Sequence, residues 1–115
     1  MLAISGTKII LTRGDSAALT VILKDEAGTQ IDLVTGDTIY FTVKTSPGVE
    51  AKVFQKTITV FTSGKANIPI VPADTAELSF GNYKYDIQYV RGTDGFVKTI
   101  VAPSTFVVAE EVTYE

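Results

Sequence analysis

The side chains of this chain that could do chemistry are carboxylates in its turns, because it contains neither histidine nor cysteine. Histidine is the commonest general base and a common metal ligand, and cysteine supplies thiolate nucleophiles and zinc ligands. Composition therefore excludes Ser–His–Asp and Cys–His sites. The acidic residues available from loops are Asp25, Glu26, Asp32, Asp37, Asp74, Asp86 and Asp94.

Such carboxylates could bind calcium or hydrolyse a glycosidic bond. A calcium loop needs several oxygen ligands at close spacing, as in D-x-D-x-D-G, and no such run occurs. A glycosidase needs two carboxylates at a set separation in a cleft, which the sequence neither supports nor excludes. Gly92 and Gly95 bracket a hairpin, and no G-K-[ST] follows them as in a phosphate-binding loop. We therefore expect no catalytic, cofactor-binding or metal-binding residue and no cofactor, and we assign the acids to solvated turns.

The tetrapeptide Arg13-Gly14-Asp15-Ser16 is the one that integrins recognise in cell adhesion. Gly-Asp-Ser is also ordinary turn chemistry, because glycine accepts positive φ while Asp and Ser bond to nearby backbone. A strand-like run follows directly, so a hairpin turn is expected here. We favour the turn over the adhesion motif.

Size and charge limit the classes of partner. The chain has 115 residues, typical of one domain, so we predict a single domain over residues 1–115. Its net charge is −3 and it has no basic cluster, so we expect no nucleic-acid partner. No apolar run approaches the ~20 residues of a membrane-spanning helix, and the first residues lack the pattern of a secretion signal. We expect no membrane partner, and the absence of cysteine fits a reducing cytoplasm.

Turn signals alternate with strand-like runs along the whole chain. The clearest run follows Gly81-Asn82, where Tyr83, Tyr85, Ile87 and Tyr89 share one face and polar residues the other. Pro69 predicts an edge strand or a bulge, and Gly95 predicts a hairpin. The predicted strands cover residues 8–12, 17–24, 37–45, 53–61, 66–70, 83–91, 96–101 and 105–110.

This pattern predicts an all-β protein, an immunoglobulin-like antiparallel β-sandwich of about seven to eight strands. One short helical turn is predicted near residues 73–78, from Pro72 and Asp74. Tyr83 has the spacing of the tyrosine corner, whose hydroxyl bonds to upstream backbone, and Tyr85 would take the core position two residues later.

A few apolar side chains lie off the predicted inward rows. Tyr40, Phe54 and Tyr114 are weak candidates for an interface. Ile22 and Ile100 lie opposite the core row, on a face that a sandwich normally leaves solvated. A neighbouring domain or a second copy could cover them. Scattered surface apolar residues are also normal, and both interpretations stay open.

The order of these features resembles small phage and prophage structural domains, in particular the N-terminal domain of baseplate upper proteins in siphophages of Gram-positive hosts. The resemblance covers nearly the whole chain, with motifs at the level of the fold. Four segments carry it: Arg13-Gly14-Asp15-Ser16 with the run 18–23; Gly28 and Ile31-Asp32-Leu33 with the run 37–44; Gly64-Lys65-Ala66-Asn67-Ile68 with the turn 72–75; and Gly81-Asn82-Tyr83-Lys84-Tyr85-Asp86-Ile87 with the run 105–108.

The resemblance implies a non-enzymatic phage or prophage virion structural protein of a tail, baseplate or head. Its partners would be other virion proteins or copies of itself. It would reside in the virion, and in the host cytoplasm during assembly. The alternative is an immunoglobulin-like module that binds carbohydrate or a cell surface, with Tyr40 and Tyr89 as the tyrosines tested against a glycan. A small hydrolase built on carboxylates is a third reading, and it needs a cleft that holds two acids.

Overall fold

The computed structural model describes residues 2–46, 48 and 51–110, and over them the protein is mainly β with one helical turn. The alternating runs form strands because apolar and polar side chains point to opposite faces. In chain order the elements are β1 (Leu2–Ser5), β2 (Lys8–Thr12), β3 (Ala17–Val21), β4 (Leu23–Lys24), β5 (Gln30–Ile31), β6 (Thr38–Lys44), β7 (Phe54–Ile58), β8 (Ala66–Ile70), α1 (Pro72–Thr75), β9 (Gly81–Val90) and β10 (Val97–Ala109).

The strands form one six-stranded sheet, in the order β1-β2-β10-β9-β6-β7, and two pairs, β3-β8 and β4-β5. All neighbouring strands are antiparallel except β2 and β10, which are parallel. The prediction of a wholly antiparallel fold is therefore wrong at this pair. β10 runs opposite to β9 because a hairpin joins them, and β2 lies along the other edge of β10 in the same direction as β10.

The inward-facing side chains of the six-stranded sheet and of the β3-β8 pair form a single core. In β6, Ile39, Phe41 and Val43 are fully buried, and their partners in β9 are buried as well. Leu19 of β3 lies opposite Ile68 of β8, and both belong to the same core cluster. The predicted inward rows of these strands are confirmed.

Aromatic rings fill the middle of this core. The ring centroid of Phe41 lies 5.4 Å from that of Tyr85 and 6.2 Å from that of Phe106, in tilted and edge-on arrangements that aromatic pairs prefer. Phe54 joins them, 6.0 Å from Phe41. The prediction that Phe54 lies off the inward rows is wrong, because the register of β7 places it opposite the inward-facing Val43.

The hydrogen bond predicted for a tyrosine corner at Tyr83 is confirmed. The hydroxyl of Tyr83 donates a hydrogen bond to the carbonyl oxygen of Ser79 at 2.8 Å. Tyr85 is buried, and its hydroxyl donates to the carbonyl oxygen of Thr7. The helical turn before the corner is also confirmed, although it ends at Thr75, earlier than predicted.

Several strand bounds differ from the prediction. β1 and β5 were not predicted, and the predicted strand 17–24 is interrupted at Ile22, which is exposed as expected. The predicted strands 96–101 and 105–110 form one strand, β10, whose register shifts after Thr99 and after Val101. These shifts turn Ile100 toward the core, so its predicted position opposite the core row is wrong. Tyr114 lies outside the described residues.

The Arg13–Ser16 segment is a turn, but the predicted hairpin is wrong because β2 and β3 belong to different sheets. The turn is fastened to α1. Its Gly14 N–H donates to the buried Thr75 hydroxyl at 2.9 Å, and the Arg13 guanidinium stacks 4.3 Å from the ring centre of Phe80. Arg13 is therefore half-buried and engaged within the fold.

The edge strand β7 is fastened to the same helical turn. Lys56 lies on the core side of β7, and its ammonium reaches the carboxylate of Asp74 at 2.8 Å. That carboxylate also accepts the Val71 N–H at 2.9 Å. No helix in the described ranges has the length and apolarity to cross a membrane.

Replacing Tyr83 by Phe removes the corner hydrogen bond and leaves the ring in place. We expect Tyr83→Phe to lower the free energy of unfolding by about 1 kcal/mol, measured by urea denaturation. Tyr40→Phe is the matched control, because the Tyr40 hydroxyl has no hydrogen bond to the described residues. Equal losses in the two variants would contradict a structural role for the corner.

Candidate functional site

Three loops meet at one end of the six-stranded sheet. Thr38 of β6 lies opposite Val90 of β9, which in turn lies opposite Val97 of β10. At the same end, Ile39 lies opposite Ile58 of β7. The loops 32–37, 59–65 and 91–96 adjoin these strand ends, and we call them together the loop end.

Each of the three loops exposes one large apolar side chain. Val34, Val60 and Phe96 are 54%, 81% and 49% exposed, and Val97 at the start of β10 is also exposed. Apolar side chains on loops held by a rigid scaffold are typical of contact sites. The loop end is therefore the candidate functional site.

Asp37 joins the loop 32–37 to the hairpin loop 91–96. Its carboxylate is buried and accepts the Gly92 N–H at 2.9 Å and the Val34 N–H at 3.1 Å. The two loops touch so closely that a Cβ on Gly92 would lie 2.3 Å from the carbonyl oxygen of Gly36. Only glycine fits at position 92, and the relative position of the two loops is fixed.

The loop 59–65 is joined to the loop 32–37 in turn. The Leu33 N–H donates to the carbonyl oxygen of Gly64 at 3.0 Å, and the Gln30 amide donates to that of Ser63 at 3.1 Å. Ser63 and Gly64 have φ of 53° and 71°, the positive values that a type I′ turn requires. The three loops thus form one connected unit.

The hairpin loop is stiffened by its own side chains. The Arg91 guanidinium donates two hydrogen bonds to the Asp94 carboxylate, at 2.9 and 2.8 Å, and lies 4.7 Å from the ring centre of Phe96. These bonds, and next the bond from the Phe96 N–H, lower the pKa of Asp94 to about 2. Phe96 is therefore held in one place although it is half-exposed.

Tyr89, near the end of β9, lies next to Asp37 of the loop end. Its side chain is buried, and its pKa is raised first by burial and then by the nearby charge of Asp37. A buried ring is not available for stacking on a sugar, so the expectation that Tyr89 holds a glycan is wrong. Tyr40 remains half-buried on the outer face of β6.

Several of the acidic residues accept backbone N–H groups. Asp25 accepts the N–H groups of Ala27 and Thr29 in the β4–β5 turn, as the sequence predicts for turn acids. Asp37 and Asp94 hold the loop end together as described above. Within the described part of the chain, no three acidic residues converge on a position that could hold a metal ion.

A shallow cleft of about 70 Å³ lies on the outer face of the sheet, lined by Thr42, Lys44, Lys84, Tyr85, Asp86 and Pro103. Lys44 lies opposite Lys84, whose ammonium donates to the Thr105 hydroxyl at 3.1 Å. Asp86 is the sole acid among these lining residues, whereas a glycosidase cleft needs two carboxylates.

Sequence reasoning missed the apolar residues of the loop end. The predicted strand 53–61 includes Val60, whereas β7 ends at Ile58. Val34 stands before the Thr35-Gly36-Asp37 turn, and this apolar residue beside a turn was the one local signal that could have been used.

No family model matches the chain, and neither a curated protein nor a solved structure is significantly similar to it. The function is therefore inferred from the sequence pattern and from the geometry above.

Asp37→Ala should loosen the loop end. The change leaves the Gly92 and Val34 N–H groups without their acceptor, so we expect the free energy of unfolding to fall by about 2 kcal/mol. The pKa of Tyr89 should fall as well, since a negative charge beside it is lost, and NMR titration of its ring would show this. Asp94→Ala should lower the Tyr89 pKa less than Asp37→Ala does, because Asp94 is the smallest of the causes that raise it. A Tyr89 pKa unaffected by Asp37→Ala would contradict the placement of Asp37.

Arg91→Gln should raise the pKa of Asp94 from about 2 toward its ordinary 3.8, because the largest cause of the shift is the Arg91 hydrogen bond. The rise should be incomplete, since the Phe96 N–H still donates. In the wild type the stabilisation by this pair is complete above the unfolded pKa and is lost as pH falls toward 2. NMR titration of the Asp94 carboxyl measures the shift, and an unchanged value would show that the pair does not form in solution.

Proposed function

We propose that this protein is a non-enzymatic structural component of a phage or prophage virion, an immunoglobulin-like β-sandwich that acts through protein–protein contacts. The observation that carries the proposal is the loop end, where Val34, Val60 and Phe96 are exposed on three linked loops. The partners are other virion proteins of a tail, baseplate or head, or further copies of this chain. The protein is assembled in the host cytoplasm and resides in the virion.

Two features support the immunoglobulin-like assignment. Side chains of the β3-β8 pair and of the six-stranded sheet share one core, as in a two-layer sandwich. Tyr83 makes the corner hydrogen bond typical of these domains. Variable-type domains of this class also gather their binding loops at one end.

The loop end suits binding to a protein because it is already ordered. Loops that are rigid before binding lose little conformational entropy on association. Two carboxylates of this end are already paired within the protein, Asp37 with backbone N–H groups and Asp94 with Arg91. The apolar side chains are left as the groups that gain from burial, and aromatic residues such as Phe96 are frequent hot spots.

Carbohydrate binding is a second candidate, favoured by the cleft on the outer face, which several polar side chains line. Lys44, Lys84, Asp86 and Thr42 converge there, and such groups can donate to and accept from sugar hydroxyls. Its test is a glycan array with the wild type and Lys84→Ala. Glycan binding that Lys84→Ala abolishes would support this candidate.

The leading proposal is tested by measuring the affinity of the purified protein for each co-encoded tail, baseplate and head protein. We expect one of them to bind, and Val60→Ser/Phe96→Ser to weaken that binding about tenfold or more, a loss of about 1.4 kcal/mol or more.

The matched control is Ile4→Ser/Val71→Ser, which changes two apolar residues of similar exposure, 57% and 45%, away from the loop end. Its affinity should stay within about twofold of the wild type, and equal urea midpoints would show that both variants are folded. Failure of the wild type to bind any co-encoded virion protein would overturn the proposal.

A further inference from the structure

The strand β3 has a partner along one edge only. It pairs with β8, and its continuation β4 pairs with β5. The Gln30 amide of β5 bonds to Ser63 in the turn that leads into β8, so β5 and β8 lie along the same side. Across the described ranges, no strand pairs with the other side of residues 17–24.

Other outer strands carry features that oppose strand pairing. β7 carries Lys56 on its core side, and β8 carries Pro69, which has no N–H to donate. β1 has only four residues. β3 has five residues without charge, proline or register shift, and its outward residues Ala18 and Thr20 are small.

We propose that β3 pairs antiparallel with β3 of a second copy, about a two-fold axis at Leu19. The pairing converts two two-stranded sheets into one four-stranded sheet, β8-β3-β3-β8. Two-stranded sheets are marginal on their own, and wider sheets are more stable. A two-fold contact is isologous, so one uncharged strand suffices for both sides. The pairing uses no residue of the loop end and does not rest on the proposed function.

The register follows from side-chain parity and charge. With the axis at Leu19, Ala18 lies opposite the second copy's Thr20, and the inward row of each copy stays inward. An axis at Thr20 would instead place Asp15 level with the second copy's Asp25, and like charges in that position are destabilising. The axis at Leu19 avoids this contact and sets the uncharged residues 16–22 of the two copies directly opposite one another.

The pairing also accounts for an exposed apolar residue beside the strand. Ile22 is 38% exposed, at the break between β3 and β4. In this register it lies opposite the second copy's Ser16, next to the strand that covers the open edge. Its exposure would therefore fall on pairing, as expected for an apolar residue that borders an interface.

The pairing is tested by adding charges of one sign, or of the other, to the uncharged residues of β3. Ala18→Lys/Thr20→Lys places lysines directly opposite lysines across the two-fold axis, and Ala18→Glu/Thr20→Glu does the same with carboxylates. Light scattering after size exclusion should show a dimer for the wild type and a monomer for each variant alone. An equimolar mixture of the two variants should give a mixed dimer, because each lysine then faces a glutamate.

Two controls place the contact. Asn67→Lys/Val71→Lys adds the same charge on the outer face of β8 and just beyond it, and Val60→Ser/Phe96→Ser changes the loop end; both should remain dimers. Circular dichroism would show that all variants are folded. A monomeric wild type, a dimer that survives Ala18→Lys/Thr20→Lys, or variants that do not recombine would overturn the pairing. Loss of the dimer in Ile4→Lys alone would assign the contact to β1 instead.

Discussion

The register between β6 and β9 is the constraint on which the rest of the structure depends. It sets Phe41 opposite Ile87 and Val43 opposite Tyr85, all buried in the core. A slip of one residue would send these side chains to solvent and bring Thr42 and Lys44 inward. Each buried apolar side chain contributes about 1.5–3 kcal/mol, so the alternative register is strongly disfavoured. The same register places Asp37 beside Gly92. The positions of the loops in the loop end therefore depend on the register of the core strands.

The features of the fold that depend on nearby residues could be predicted from the sequence. The alternation of residues 83–89 determines which side chains are buried, and the spacing of Tyr83 predicts its bond to Ser79, four residues earlier. Pairing partners depend on contacts between distant segments. Nothing near residues 8–12 shows that β10 will lie parallel beside them, and nothing near Phe54 shows that it faces Phe106. The strand that contains Phe54 alternates poorly because Lys56 lies on its core side. This position suits a lysine only because Asp74, in another element, pairs with its ammonium group.

The candidate site was less predictable than the fold for the same reason. Val34, Val60 and Phe96 stand on separate loops, and only the register of three strands brings those loops to one end. Turn acids can be recognised from sequence by their local hydrogen bonds, as for Asp25. The bond from Gly92 to Asp37 spans 55 positions and has no local signature. From the sequence alone, an acidic residue that joins two loops by hydrogen bonds cannot be distinguished from one that lies in a turn and contacts only solvent.

The two proposed contacts have a joint geometric consequence. β3 runs toward the loop end, because its last residue, Val21, lies opposite Ala66, which follows the loop 59–65. Antiparallel pairing of β3 with a second copy would therefore direct the two loop ends in opposite directions. Such a dimer could bridge two partner molecules but could not place both loop ends on one flat surface. Since two linked sites gain avidity only when geometry allows both to bind, the dimer suits a connector between subunits rather than a cap on a single one.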